Sequence, residues 1–183
     1  MVAIPVTGVG NYFQQSYVFN VAANPEFPGE GIPLPGTVAL GTDGTEWVFV
    51  RLAASQAVVA GDWLYVSSVD DVSWVATRLT QALGRGRLGN AIGVAGCTIT
   101  SGATSTVTNF TGIWMCRKGR IAANIATGVT GFTGLFTTAT AGQLNSTTSA
   151  GNNSAITGVV SVATAASNLA MCELLAPAIG ANQ

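Results

Sequence analysis

Thr45-Glu46-Trp47-Val48-Phe49-Val50-Arg51-Leu52 decides the fold class of this chain. Thr, Trp, Val and Phe suit a pleated, half-buried surface better than a helix. The segment follows Gly41-Thr42-Asp43-Gly44, whose glycines and aspartate read as a turn. The same grammar recurs downstream. Ala60-Gly61-Asp62 is a turn before Trp63-Leu64-Tyr65-Val66-Ser67, and Asp70-Asp71 reads as a hairpin turn before Val72-Ser73-Trp74-Val75-Ala76-Thr77. Further strand signals are Ala91 to Ala95, Gly112 to Arg117, Gly134 to Thr138, Thr157 to Val162 and Ala170 to Leu175. Helical periodicity is sustained nowhere; only Leu79 to Leu83 and the alanine cluster Thr164 to Leu169 are expected to form short helical turns.

Many short strands with glycine-bearing turns predict an all-β protein, a small β-barrel or β-sandwich. The expected division is an extended Pro-rich arm over residues 1–36 and the β domain over 37–183. Four of the six prolines fall between Asn24 and Gly36, and each removes a backbone donor and fixes φ. Tyr12, Phe13, Tyr17, Phe19 and Phe27 make residues 1–36 aromatic. Tyr12, Phe13, Tyr17 and Phe19 would each gain about 1.5–3 kcal/mol if buried on a neighbouring surface. Two readings of these aromatics stand open: an arm that docks on a partner, or an ordinary first strand.

An internal echo points to two related β units. The succession Trp63-Leu64-Tyr65, Ile92-Gly93-Val94, Trp114-Met115-Cys116 recurs as Gly134-Leu135-Phe136, Thr157-Gly158-Val159, Ala170-Met171-Cys172.

Composition bears on function. The 183 residues include no histidine, and charged residues make up 8%, against about a quarter in an average soluble domain. The formal net charge is −1. So few charges predict a surface covered by copies of the chain or by a larger assembly. Without histidine the commonest general base is missing, as are Ser-His-Asp and Cys-His arrangements, and the expectation is no enzyme. Cys97, Cys116 and Cys172 have no metal-ligand spacing and read as buried, reduced hydrophobes, so no metal or cofactor is expected. No window has the roughly 18 apolar residues of a spanning helix, and the first ten residues lack a signal-peptide pattern. The expected location is the cytoplasm, or a particle assembled there.

Charge is also segregated. Seven of the eight acidic residues precede Trp74, whereas Arg51 is the one basic residue there, which suits complementary contacts between copies. Arg85 and Arg87 lie in Gly84-Arg85-Gly86-Arg87-Leu88-Gly89, an expected exposed loop lacking the lysine and Ser/Thr of a phosphate loop. Arg117, Lys118 and Arg120 form the densest basic cluster. They are expected at a turn ending a strand, paired with acidic residues of a neighbouring subunit, since three charges make a poor nucleic-acid footprint.

Gly61-Asp62-Trp63-Leu64-Tyr65-Val66, Ala91-Ile92-Gly93-Val94-Ala95, Gly112-Ile113-Trp114-Met115-Cys116, Ala141-Gly142-Gln143-Leu144 and Ile156-Thr157-Gly158-Val159-Val160 occur in that order. This pattern resembles the capsid decoration (cement) proteins of tailed bacteriophages over about Ala60 to Leu175. The resemblance implies a β-barrel or sandwich, often a homotrimer, bound outside an icosahedral head and tying major capsid subunits together. It implies terminal arms reaching neighbours, no catalytic residue and no cofactor. The implied partners are the chain itself and the major capsid protein, with no nucleic acid, membrane or small-molecule substrate. Two other classes fit the composition: a surface carbohydrate-binding module stacking sugars on Trp47, Trp63, Trp74 or Trp114, and a fibre or tail-associated virion component.

Overall fold

A computed structural model of the chain describes residues 4–5, 16–20, 33–68, 74–84, 89–100, 109–147 and 153–182. The strands are β1 (Ile4–Pro5), β2 (Ser16–Asn20), β3 (Val38–Leu40), β4 (Glu46–Leu52), β5 (Trp63–Ser68), β6 (Val75–Arg78), β7 (Ile92–Ala95), β8 (Asn109–Asn124), β9 (Leu135–Thr137), β10 (Leu144–Asn145), β11 (Ser154–Ser161) and β12 (Leu169–Asn182), with one helical turn, α1 (Gln81–Gly84). The protein is all-β and contains a closed five-stranded barrel.

That barrel runs β4-β6-β5-β7-β8 and closes because β8 returns to β4. The β4–β6 pair is parallel, and the other four pairs are antiparallel. Alternation along each strand sorts side chains into two clusters. Val48, Val50, Leu52, Leu64, Val66, Ala76, Ala95, Ile113 and Met115 pack together and draw on all five barrel strands, so they fill the lumen. Val58 and Ile99, joined by an antiparallel bridge, belong to the same cluster. The opposite faces carry Trp47, Phe49, Trp63, Tyr65, Ile92, Val94, Trp114 and Cys116, which are buried as well.

The cover over much of that outer surface comes from a second unit. From the C-terminal half of β8 the sheet continues β12-β11-β9-β10, all antiparallel. A parallel bridge between Ile125 and Leu144, with the Ala126 amide donating to the Leu144 carbonyl at 2.8 Å, leads back to the end of β8. The second unit therefore repeats the first: its first and third strands are parallel neighbours, and every other pair is antiparallel. Ala123, Ile125, Leu135, Leu144, Ile156, Cys172 and Leu174 line it and merge with the outer residues of the first barrel into one core.

The echo in the sequence thus falls on topologically equivalent strands, but its Met-Cys match is out of phase. Met115 points into the first lumen and is fully buried, whereas Met171 is 43% exposed and Cys172 points inward instead. Equivalent strands keep their pairing while one-residue shifts exchange their faces.

Two further expectations change. The cluster Thr164 to Leu169 is no helical turn: Ser167 and Asn168 both have positive φ (51° and 61°), and Ala166 pairs with Leu169. Two such residues make the primed turn that matches strand twist, and Asn tolerates it. The helical turn expected at Leu79 to Leu83 is found slightly later, at Gln81–Gly84. Within residues 1–36, Ser16–Asn20 pairs antiparallel with Asn109–Ile113 of β8, and Ile4–Pro5 pairs parallel with Ala39–Leu40.

Close packing around β8 demands glycines. A Cβ on Gly93 would collide with the Cys116 carbonyl oxygen and approach the Met115 side chain to 2.7 Å. Gly93→Ala is expected to cost about 1–3 kcal/mol, because the obstacle is backbone and cannot turn aside. Urea unfolding followed by tryptophan fluorescence measures it, and an unchanged midpoint would contradict this packing.

Candidate functional site

The basic cluster lies within β8 rather than at its end. Glu46 of β4 pairs with Lys118 while Trp47 pairs with Cys116, so Arg117 is an extra residue and β8 bulges there. Gly119 follows with φ +96°, a conformation that glycine adopts freely. A Cβ at Gly119 would also sit 3.0 Å from the Thr45 Cα, so the β3–β4 turn packs directly on it. The bulge shifts the phase of the strand. Trp114 and Cys116 face outward from the first barrel, and beyond the bulge Ala123 and Ile125 on the same side line the second.

The bulge leaves Arg117 half-buried and exposes Lys118 and Arg120. Arg120 Nε donates to Glu173 Oε2 at 2.7 Å, so its acidic partner lies on β12 of its own chain rather than on a neighbour. Lys118 stands between Glu46 on one side and Leu175 of β12 on the other. A shallow recess of about 500 Å³ opens here, lined by Asp43, Thr45, Lys118, Arg120, Glu173 and Leu175. The Asp43 carboxylate accepts bonds from the Thr45 hydroxyl (2.6 Å) and amide (3.1 Å), which hold its pKa below the usual value.

Beside the recess spreads the outer face of the second barrel. Leu169, Met171 and Leu175 of β12 and Val160 of β11 are all exposed, while Ala170, Cys172 and Leu174 between them are buried. Glu173 pairs across the strands with both Val160 and Arg120. Aliphatic side chains therefore occupy outward positions that water-facing strands usually give to polar ones. Sequence reasoning named the basic residues but missed this face. Leu169, Met171 and Leu175 alternate with apolar residues of the inner face, and a continuous apolar run does not say which side is covered.

Tyr12, Phe13, Phe27, Arg85 and Arg87 lie outside the described residues, as do Asp70 and Asp71. Tyr17 and Phe19 lie on β2, opposite Gly112 and Phe110 of β8.

A buried polar hub ties the two barrels together. Asp62 Oδ2 accepts from the Val59 amide (2.9 Å) and forms an ion pair with Arg78 Nε at 2.9 Å, and Oδ1 accepts from Asn124 Nδ2 (3.1 Å). Asn124 also accepts from Gln143 Nε2 through its side chain and from Trp63 Nε1 through its carbonyl, each at 3.1 Å. Arg78 reaches the Ala141 carbonyl at 2.8 Å. Gly142 completes the fit, since a Cβ there would lie 2.7 Å from the Asp62 carboxyl carbon. The sequence offered Gly61-Asp62 only as a turn, and apart from Val59 its partners Arg78 and Asn124 are 16 and 62 positions away in the chain. A buried carboxylate with two hydrogen-bond donors and an ion-pair partner is costly to disrupt, because each orphaned partner stays unsatisfied.

Among the described residues no group of three or more His, Cys, Asp or Glu could hold a metal ion. No helix of the described residues is long and apolar enough to cross a membrane. Burial pushes the thiols up, Cys97 to about 11 and Cys116 and Cys172 to about 12, so they are poor nucleophiles at neutral pH. No protein-family model matches the chain, and no curated protein matches it either.

Two outcomes are expected. Asp62→Ala lowers stability by about 3 kcal/mol in urea unfolding, the scale for stripping one partner from a buried ion pair; a loss within experimental error would contradict the hub. Raising the pH lowers stability, because the unfolded thiols ionise near 9.0 while the folded ones resist until about 11 to 12. The native state then binds more protons than the unfolded one, so stability present below pH 9 falls as pH rises through that window. Thermal melts across pH 8 to 11, of this chain and of a Cys172→Ala variant with a shallower fall, check the sign.

Proposed function

We propose that the chain is a structural virion protein, a decoration protein that binds the outer surface of an icosahedral phage head and bridges major capsid subunits. The observation that carries this reading is how the family-like segments sit together. Asp62, from the first segment, receives Gly142 of the fourth against its carboxyl group. Gly93 of the second packs on Met115 and Cys116 of the third, and Gly112 of the third lies under the Phe49 ring. Segments far apart in sequence thus meet in one folded unit, which supports the resemblance.

The surface supports the same reading. A charge-poor chain with an aliphatic outer face suits a protein that works while covered. Catalysis has no part in it, and neither has a cofactor. The carbohydrate-binding alternative needs accessible indoles, yet Trp47, Trp63 and Trp114 are buried and Trp74 is half-buried against the lumen cluster.

Sedimentation of the purified protein with expanded phage heads tests the proposal. Saturable co-sedimentation, with heads that withstand more heat before releasing DNA, is the expected result. A protein that stays in the supernatant at every ratio would overturn it.

A further inference from the structure

We infer that the recess around Arg78, where the two barrels meet, binds a carboxylate of the kind that an acidic side chain of a partner peptide presents. The recess holds about 410 Å³, and Ser55, Gln56, Thr77, Arg78, Thr80 and Ala141 are among the residues lining it. Arg78 is held from behind. Its Nε forms the ion pair with Asp62 Oδ2 at 2.9 Å, and its Nη2 donates to the Ala141 carbonyl at 2.8 Å. The Asp62 side chain is 2% exposed, whereas that of Arg78 is 30% exposed. Nη1 has no partner among the described residues. A guanidinium carries five N–H donors in a planar fork, so two contacts fix its plane and leave donors over. A side chain ordered in advance loses less entropy when a ligand arrives.

The rest of the lining selects the ligand. Gln56 Oε1 accepts a long bond from the Arg78 amide (3.4 Å), which leaves the Gln56 Nε2 protons for a ligand. Thr80 Oγ1 accepts from the Leu83 amide at 3.2 Å, so its hydroxyl proton is available to donate. Ser55 and Thr77 add two more hydroxyls. No acidic residue lines the recess to compete for these donors, and no aromatic ring lines it to stack a sugar. Arg78 is the one charged residue of the lining, and Asp62 behind it offsets its charge. That balance suits a singly charged carboxylate better than a doubly charged phosphate, which Asp62 repels more strongly. The inference stands apart from the decoration reading, and its test needs no capsid.

Amide NMR spectra of the isotope-labelled full chain provide the experiment. The probes are the blocked peptide Gly-Glu-Gly, its Gly-Gln-Gly counterpart and inorganic phosphate. The Glu peptide is expected to shift the Gln56, Thr77, Arg78 and Ala141 amides saturably, and the Gln peptide and phosphate to bind at least roughly tenfold more weakly. Ala57→Glu, at an exposed position of the lining, sets a carboxylate beside Arg78 and should abolish the response with near-UV circular dichroism unchanged. Arg78→Lys keeps a positive charge near Asp62 but loses the fork, and should weaken binding about tenfold. Ala57→Glu decides the matter where Arg78→Lys does not fold. No saturable shift at these amides, an equal response to the Gln peptide, or binding that survives Ala57→Glu would overturn the inference. Phosphate binding more tightly than the Glu peptide would overturn the assignment to a carboxylate.

Discussion

One strand belongs to two barrels, and most of the structure follows from that. β8 runs sixteen residues from Asn109 to Asn124 without a break in pairing. Its first half closes the first barrel against β4 and β7, and its second half opens the second barrel against β12. A strand has two faces, and side chains alternate between them. For β8 to serve both units, the face outside the first must become the inside of the second. The extra residue at Arg117 and the positive φ of Gly119 accomplish the change of phase. The charged residues of β8 cluster there because the bulge turns long polar side chains outward to water.

The shared strand makes the two units one body. Aromatic residues on the outside of the first barrel would be an exposed apolar surface in an isolated domain. Here they form the floor of the second unit, and Trp63, Trp114 and Tyr65 become core. The Asp62 hub fixes the same junction by polar means, joining the start of β5, the end of β6, the end of β8 and the loop around Gly142. Apolar burial supplies the bulk of the adhesion and has no direction. The hub supplies the direction, because a buried carboxylate held by two hydrogen bonds and an ion pair tolerates a single arrangement.

The strands were legible in the sequence wherever Gly-containing turns bracketed β-branched and aromatic runs, as around Glu46–Leu52 and Trp63–Ser68. β8 was read too short because Arg117-Lys118-Gly119-Arg120 has turn composition, and composition does not tell a turn from a bulge in mid-strand. β12 was cut at Leu175 for a related reason: Ala176 has φ +51° and Pro177 follows, a local irregularity inside a continuing strand. The repeat was visible as a succession of strands, whereas its phase was not, since identical dipeptides on equivalent strands face opposite ways. Of the site, Lys118 and Arg120 were found from charge alone. The aliphatic face was hidden because its exposure depends on which unit ends the chain of packing. The Asp62 hub was hidden because its partners meet only in the folded state.

Native-state hydrogen exchange along β8 tests the shared strand most directly. If the strand welds the barrels together, amides on both sides of Gly119, including those of Met115 and Ala123, exchange through one global opening with the same free energy and the same denaturant dependence. If the second half of β8 and β12 opens at a distinctly lower free energy than the first half, the barrels are separate units and the central claim fails.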